Sequence, residues 1–179
     1  SSLIDETQIK AALAHYRPSL IGHYSSLMRS KIGLQNADDN DQQLVSELLE
    51  LMQASAADFT NTFRQLGSVS INDHQHPLRD NFINREDFDA WLVKYQQRLK
   101  SEGIDEAERQ QAMAAVNPKY VLRNYLAQQA IDKAEVGDYK ELEQLAEVLS
   151  KPFDEQPEFE DYAKMPPDWG KRISVSCSS

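Results

Sequence analysis

The sequence has one cysteine, few glycines and no long apolar run. A single cysteine, Cys177, cannot form a disulfide within the chain, and this scarcity fits a reducing compartment. No apolar stretch approaches the roughly 18 residues that a membrane-spanning helix needs. The first residues also lack the basic and apolar regions of a signal peptide. The sequence therefore predicts a cytoplasmic protein of the bacterial type that makes no contact with a membrane.

Basic residues are also in deficit, because 19 Lys and Arg stand against 29 Asp and Glu, a formal charge of −10. They are scattered among the acids and form no basic cluster. A nucleic acid would be repelled by such a surface, since its phosphates carry charge of the same sign. The sequence predicts no nucleic-acid partner.

The six glycines lie far apart, which excludes the glycine-rich loops that hold phosphates. Neither G-x-G-x-x-G nor G-x-x-x-x-G-K-[ST] occurs. An H-R-D catalytic loop and a D-F-G string are missing as well. We therefore expect no catalytic and no nucleotide-binding residue in this chain, and no cofactor of its own.

Three groups of side chains have the types that bind metals, and each has a plainer interpretation. Asp73, His74 and His76 bring a carboxylate and imidazoles together, but a structural zinc site usually has four ligands, so we interpret them as a solvated loop. His15 and His23 lie eight residues apart on helical sequence, and we expect them to pack in or beside the core. No Glu-x-x-His motif of a bundle metal site is present. Solvated helix faces are expected for Glu47, Glu50, Glu141, Glu143 and Glu147, and no metal site is predicted.

Apolar residues recur at three- and four-residue steps along most of the chain, and no useful strand-like alternation occurs, which predicts an all-α fold. The first helical segment runs from Asp5 to Gly33, and Pro18 is expected to kink it or to start a second helix. A helix is predicted over 117–131, with Asn117 as its N-cap and Pro118 in its first turn. Residues 68–83 lack any period and are expected to form a long loop. The architecture expected is an irregular bundle of about six to eight helices.

The chain is predicted to divide near residue 150. Residues 1–150 form the helical domain, and residues 151–179 form an irregular tail that contains four prolines, ends in Ser-rich sequence and includes Cys177. The sequence opens without Met directly on a helical pattern, so we expect it to be a segment of a longer protein.

Several strings, in order, resemble the selenoprotein O family. Residues 24–34 and 58–64 look like the middle-to-late region of that family, and the ending 175–179 is similar to its C-terminus. Animal members carry selenocysteine at the position that Cys177 holds here. The longest string is Asn-Pro-Lys-Tyr-Val-Leu-Arg-Asn-Tyr-Leu-Ala-Gln at 117–128, and Pro-Pro-Asp-Trp-Gly follows at 166–170. The resemblance spans nearly the whole chain.

The resemblance implies that the parent is a pseudokinase-like protein adenylyltransferase. Such a parent transfers AMP from ATP to Ser, Thr or Tyr hydroxyls of other proteins and needs Mg²⁺ or Mn²⁺. The nucleotide-binding and catalytic residues of the family lie N-terminal to everything in this chain, so the chain alone is expected to be inactive. Its partners would be the N-terminal kinase-like part of the same protein and the protein substrates.

Two roles remain open for the chain itself. It is either the C-terminal part of the enzyme, which packs on the catalytic lobe and borders the substrate cleft, or a free-standing helical module that binds a protein partner. Apolar positions on more than one helix face would favour the first role, because a lobe has an extra surface to bury.

Cys177 is the candidate redox residue. Small polar residues surround it, so its thiol is expected to be exposed, and a nucleophile in such a tail would be poorly held for catalysis. The thiol is either an ordinary terminal one without a role or a redox switch. A disulfide switch needs a second cysteine, which would have to lie elsewhere in the parent or on another molecule.

Overall fold

The structure is a computed structural model that describes residues 5–73 and 76–173. Within these ranges no strand occurs, so the all-α prediction is confirmed. Short 3₁₀ segments lie at Pro77–Asn81, Pro157–Phe159 and Gly170–Arg172. The α-helices of the described ranges are α1 (Glu6–Lys31), α2 (Asp41–Ser55), α3 (Phe59–Leu66), α4 (Arg85–Glu102), α5 (Glu106–Val116), α6 (Asn124–Glu135), α7 (Lys140–Ser150) and α8 (Glu160–Ala163).

Local capping explains where three of the helices begin. Asp58, Asn84 and Asp105 each accept hydrogen bonds from first-turn backbone N–H groups, at 2.8–3.3 Å. These N–H groups have no partner inside the helix, so a side-chain acceptor stabilises the start. Gly103 ends α4 at φ +68, a left-handed conformation that glycine adopts without steric penalty.

Helix α1 is continuous through Pro18, so the alternative of a second helix starting there was wrong. The proline ring fits helical φ. Because proline has no backbone N–H, the helix lacks the hydrogen bond that residue 18 would otherwise donate to the carbonyl of Ala14. Ala14 is exposed, so water can bind that carbonyl. Met28 of α1 and Ile32, just past its end, belong to the core.

The main core lies between α2 and α4 and is closed by α3, α5 and the C-terminal end of α1. Trp91 and Tyr95 on α4 stack with their ring centroids 5.1 Å apart. Both use their polar atoms: Trp91 Nε1 donates to the carbonyl of Leu44 at 2.9 Å, and Tyr95 Oη donates to that of Ile32 at 2.9 Å. The largest buried aromatic side chains of the chain therefore tie three helical segments together without leaving a polar group unpaired.

Two smaller clusters form the C-terminal part of the molecule. One joins α6 to α7 and the other joins α7 to the segment after it. Residues 151–173 fold back on these helices, with Phe159 in the second cluster and Gly170 against Tyr125. The division at residue 150 stays a prediction.

The helix predicted over 117–131 begins seven residues later than expected. Asn117 ends α5 instead of capping the next helix, and α6 begins at Asn124. The cause is a long-range contact: the backbone N–H groups of Lys119 and Tyr120 both donate to the carbonyl of Pro152, at 2.8 and 3.1 Å. Residues 117–123 therefore run as an extended connection between the two parts of the core.

Candidate functional site

The strings at 58–64 and 117–128 meet where the main core joins the C-terminal helices. Charged and polar side chains of these two strings, together with those of neighbouring segments, form a group that we call the polar junction. It consists of Lys31, Asp58, Arg64, Asn117, Lys119, Arg123, Glu155 and Glu160.

Asp58 and Arg123 form the most enclosed ion pair of the junction. Arg123 Nη1 lies 2.6 Å from Asp58 Oδ2 and Nη2 lies 3.1 Å from Oδ1, a two-pronged geometry that is among the stronger ion pairs. Burial would raise the pKa of Asp58, but the Arg123 guanidinium and the backbone N–H of Asn61 hold that pKa below its usual value. Asp58 thus caps α3 and fixes the start of α6 with one carboxylate.

Arg64 connects three stretches of chain. Its Nη1 donates to the carbonyls of Ala114 and Asn117, both at 2.9 Å. Its Nη2 donates to the carbonyl of Phe153 at 3.2 Å and to Glu155 Oε1 at 2.7 Å. One guanidinium therefore joins α3, the end of α5 and the segment after α7.

Two lysines complete the junction. Lys119 contacts Glu155 and Glu160, and although burial lowers the pKa of Lys119, these carboxylates raise it above its usual value. Lys31 donates to Asn117 Oδ1 at 3.2 Å and lies about 5.5 Å from the Phe63 ring centroid, and burial lowers its pKa. Each cation of the junction has protein partners, so this arrangement fastens chain segments together.

No role could be assigned to Arg64, Lys119 or Lys31 from the sequence, although all three stand in the strings that carry the resemblance. Their partners lie 36 to 91 residues away along the chain. The only local signal was the mixture of charged and aromatic residues at helix boundaries.

The interpretation of His76 as part of a solvated loop was wrong. His76 is only 9% exposed, and its Nδ1 accepts from the backbone N–H of Leu78 at 3.1 Å. Its Nε2 lies 3.0 Å from Ser68 Oγ, whose own proton goes to the carbonyl of Gln65. This pattern fixes a neutral ring that caps the Pro77–Asn81 segment. Burial lowers the pKa of His76, against the opposing charge of Asp73.

From the buried neutral ring of His76 we expect the free energy of unfolding to fall as the solution is acidified. Because its pKa is lowered on folding, the unfolded chain binds the proton more readily below about pH 6.5, so stability present above that pH is lost below it. One proton sets a slope of at most about 1.4 kcal/mol per pH unit. Urea unfolding between pH 8 and 5 should show a smaller loss for His76→Asn, whose amide oxygen can replace Nδ1 as a cap.

The control for this experiment is His15→Asn, because His15 is exposed. The free energy of unfolding of this variant should depend on pH as it does in the unsubstituted 179-residue chain. An unchanged pH dependence in His76→Asn would contradict the assignment of the neutral ring as a stabilising cap.

The remaining candidate ligands are dispersed. His15 and His23 are exposed on α1, so the prediction that they pack in or beside the core was wrong; the N-terminal part of that helix has no core to join. Glu47 pairs with Lys94, and Glu141 pairs with Lys133. Among residues 5–73 and 76–173, no group of three His, Cys, Asp or Glu side chains could hold a metal ion.

His74 and Cys177 lie outside the described residues. No helix in the described part of the chain has both the length and the apolar character of a membrane span.

Comparison with known proteins gives a consistent result. The family model described as "Protein adenylyltransferase SelO" matches residues 1–150. Proteins named "Protein nucleotidyltransferase YdiU" from Yersinia pseudotuberculosis serotype O:1b (strain IP 31758) and Pectobacterium atrosepticum are each 49% identical over all 179 residues. The one from Pseudomonas aeruginosa (strain LESB58) is 49% identical over 177 residues. The chain spans only 36–37% of the length of these relatives. It belongs to the SelO protein adenylyltransferase family.

Proposed function

We propose that this chain is the C-terminal helical part of a longer enzyme that transfers AMP from ATP to Ser, Thr or Tyr hydroxyls of proteins. The supporting observation is the match to relatives named protein nucleotidyltransferases, of whose length the chain spans about 37%. ATP and Mg²⁺ or Mn²⁺ would be bound by the kinase-like part outside this chain, where the metal would neutralise charge on the phosphates.

In this proposal the chain has a structural role and borders the substrate cleft. Its own sequence lacks a phosphate-binding loop, and the polar junction uses its cations to hold chain segments together. Large apolar side chains exposed along α1 favour a lobe that packs against the rest of an enzyme over a free-standing module.

We include a redox role for Cys177 in the same proposal. The thiol would pair with a cysteine elsewhere in the longer protein, since this chain has no second one. Peptide mapping of the mildly oxidised longer protein tests it: a linked Cys177 supports the role, and a free Cys177 in a protein whose activity responds to oxidant contradicts it.

The proposal predicts that the 179-residue chain does not bind ATP. A ligand at 100 times its Kd would stabilise the folded state by about 2.7 kcal/mol, so binding would raise Tm measurably. We expect millimolar ATP with Mg²⁺ to leave the Tm of the chain unchanged. The longer protein under the same conditions should show a raised Tm and should incorporate labelled AMP into protein.

Two results would count against this proposal. A clear rise in the Tm of the 179-residue chain would mean that it contains a nucleotide site. A longer protein that incorporates no AMP with either Mg²⁺ or Mn²⁺ would favour the interaction module.

A further inference from the structure

Helix α1 exposes a row of large apolar side chains along most of its length, from Ile9 to Leu27. Each of them is between 45% and 65% exposed. We call this row the α1 stripe, and it consists of Ile9, Leu13, Tyr16, Leu20, Tyr24 and Leu27.

The spacing of the α1 stripe places it on a single face. Its members follow one another at steps of three and four residues, so at about 100° per residue all six lie within an arc of about 80°. From Ile9 to Leu27 the stripe is about 27 Å long. The opposite face carries small and polar residues such as Ala11, Gly22 and Ser25. This pattern is that of a helix that lies in an apolar groove.

Among residues 5–73 and 76–173, no groove covers this face of α1. The contacts of α1 with α2 and α5 involve its C-terminal end, where Met28 and Ile32 enter the main core. A helix that projects alone into water and contains Pro18 has little intrinsic stability, because most helical stability in proteins comes from packing an apolar face. The α1 stripe therefore requires a cover.

Two occupants deserve comparison, namely the remaining part of the longer family protein and a second copy of this chain. The relatives carry these residues within chains of which they form only 37%, so a large additional surface belongs to the same polypeptide. A second copy would bring a further formal charge of −10. It would also set two α1 helices side by side, each with four basic residues and one acid. Both repulsions disfavour the second copy.

We infer that the α1 stripe packs into an apolar groove on the remaining part of the longer protein and is the seam that joins this helical part to it. The inference rests on the proposed function only in that both require the longer protein. The positive charge of α1, with Lys10 and Arg17 beside the stripe, fits an acidic rim on that groove.

The test compares two paired substitutions in the longer protein and in the 179-residue chain. Leu13→Gln with Leu20→Gln alters the stripe while keeping helix propensity similar. Ala11→Gln with His15→Gln places the same side chain on the opposite face, at two exposed positions. We expect the stripe pair to lower the Tm of the longer protein by roughly 5–10 °C, from two buried leucines lost. The opposite-face pair should change it by no more than about 2 °C, the usual range for surface substitutions.

In the 179-residue chain, both pairs should leave Tm nearly unchanged, because the stripe is exposed there. Hydrogen exchange should be at least about tenfold slower for α1 amides in the longer protein than in this chain, where local opening is easy. A stripe pair that leaves the longer protein as stable as the opposite-face pair would overturn the inference. So would a dimer of the 179-residue chain that protects α1 and is abolished by the stripe pair.

These readouts are independent of AMP transfer. If the longer protein transfers no AMP but shows the expected shifts in Tm and hydrogen exchange, the proposed function is wrong and the inference about the seam stands. If the longer protein transfers AMP but the stripe pair does not change its Tm, only the inference about the seam is wrong.

Discussion

Replacing Trp91 with Ala should lower the free energy of unfolding of the chain by about 3–5 kcal/mol, the range for large aromatic side chains removed from a core. Trp91 is 2% exposed and stacks on Tyr95, and its ring lies 5.8 Å from that of Phe88. The substitution also removes the hydrogen bond to the carbonyl of Leu44 on α2. Urea unfolding followed by circular dichroism measures the loss.

Two controls separate packing from other effects of Trp91. Trp91→Phe keeps an aromatic ring and loses the N–H, so it should cost much less, with about 1 kcal/mol from the hydrogen bond. Trp169→Ala removes the other tryptophan, which is 55% exposed, and should cost less than about 1 kcal/mol. If Trp91→Ala were no more damaging than Trp169→Ala, the main core would not be organised around α4.

Replacing Arg123 with Ala should cost about 2–4 kcal/mol. Loss of one partner from a buried ion pair costs about 3–5 kcal/mol, and this pair is slightly exposed, at 11% and 14%. The carboxylate of Asp58 would remain enclosed with its backbone donor as the main remaining partner. In the longer protein, AMP transfer per folded molecule should change less than stability does. The reverse pattern would place Arg123 in the reaction itself.

The same variant predicts a dependence on acid pH. The pKa of Asp58 is lowered in the folded chain, so the pair stabilises fully above the unfolded value of about 3.9 and loses that contribution as pH falls through the folded pKa. The difference in free energy of unfolding between the unsubstituted 179-residue chain and Arg123→Ala should therefore shrink below about pH 4.

A double-mutant cycle isolates the pair from the cap. Asp58→Asn keeps an oxygen that can accept from Asn61 but removes the charge. If the pair is what matters, adding Arg123→Ala to Asp58→Asn should cost much less than Arg123→Ala alone. Additive losses would mean that Arg123 stabilises through other contacts.

The helix starts at Asp58, Asn84 and Asp105 could be predicted because capping is local. The side chain and the N–H groups that it accepts from lie two or three residues apart, so the necessary information is within a few letters of sequence. The extended connection at 117–123 could not be predicted in this way. Its backbone donors bind Pro152, and nothing near Asn117 indicates which residues that far along the chain will approach.

The exposure of the α1 stripe shows a second limit of what periodicity can predict. The α1 stripe and the buried face of α2 have the same three- and four-residue steps, yet only α2 is covered by its own chain. A periodic pattern indicates which face will be covered, but not whether the covering surface belongs to these residues. The expectation that His15 and His23 pack in or beside the core, which follows from the usual burial of His, fails on the same helix, where the structure leaves both exposed.

The contacts of Arg64 also impose an order in time on a chain that is synthesised from its N-terminus. Phe153 and Glu155 follow Arg64 by 89 and 91 residues. At about 5–20 residues per second, the ribosome delivers them some 5–18 s after Arg64. During that interval the main core can close, but the guanidinium of Arg64 has only water and nearby carbonyls to bind. The C-terminal helices can therefore dock on this surface only after all the residues of the main core have been synthesised.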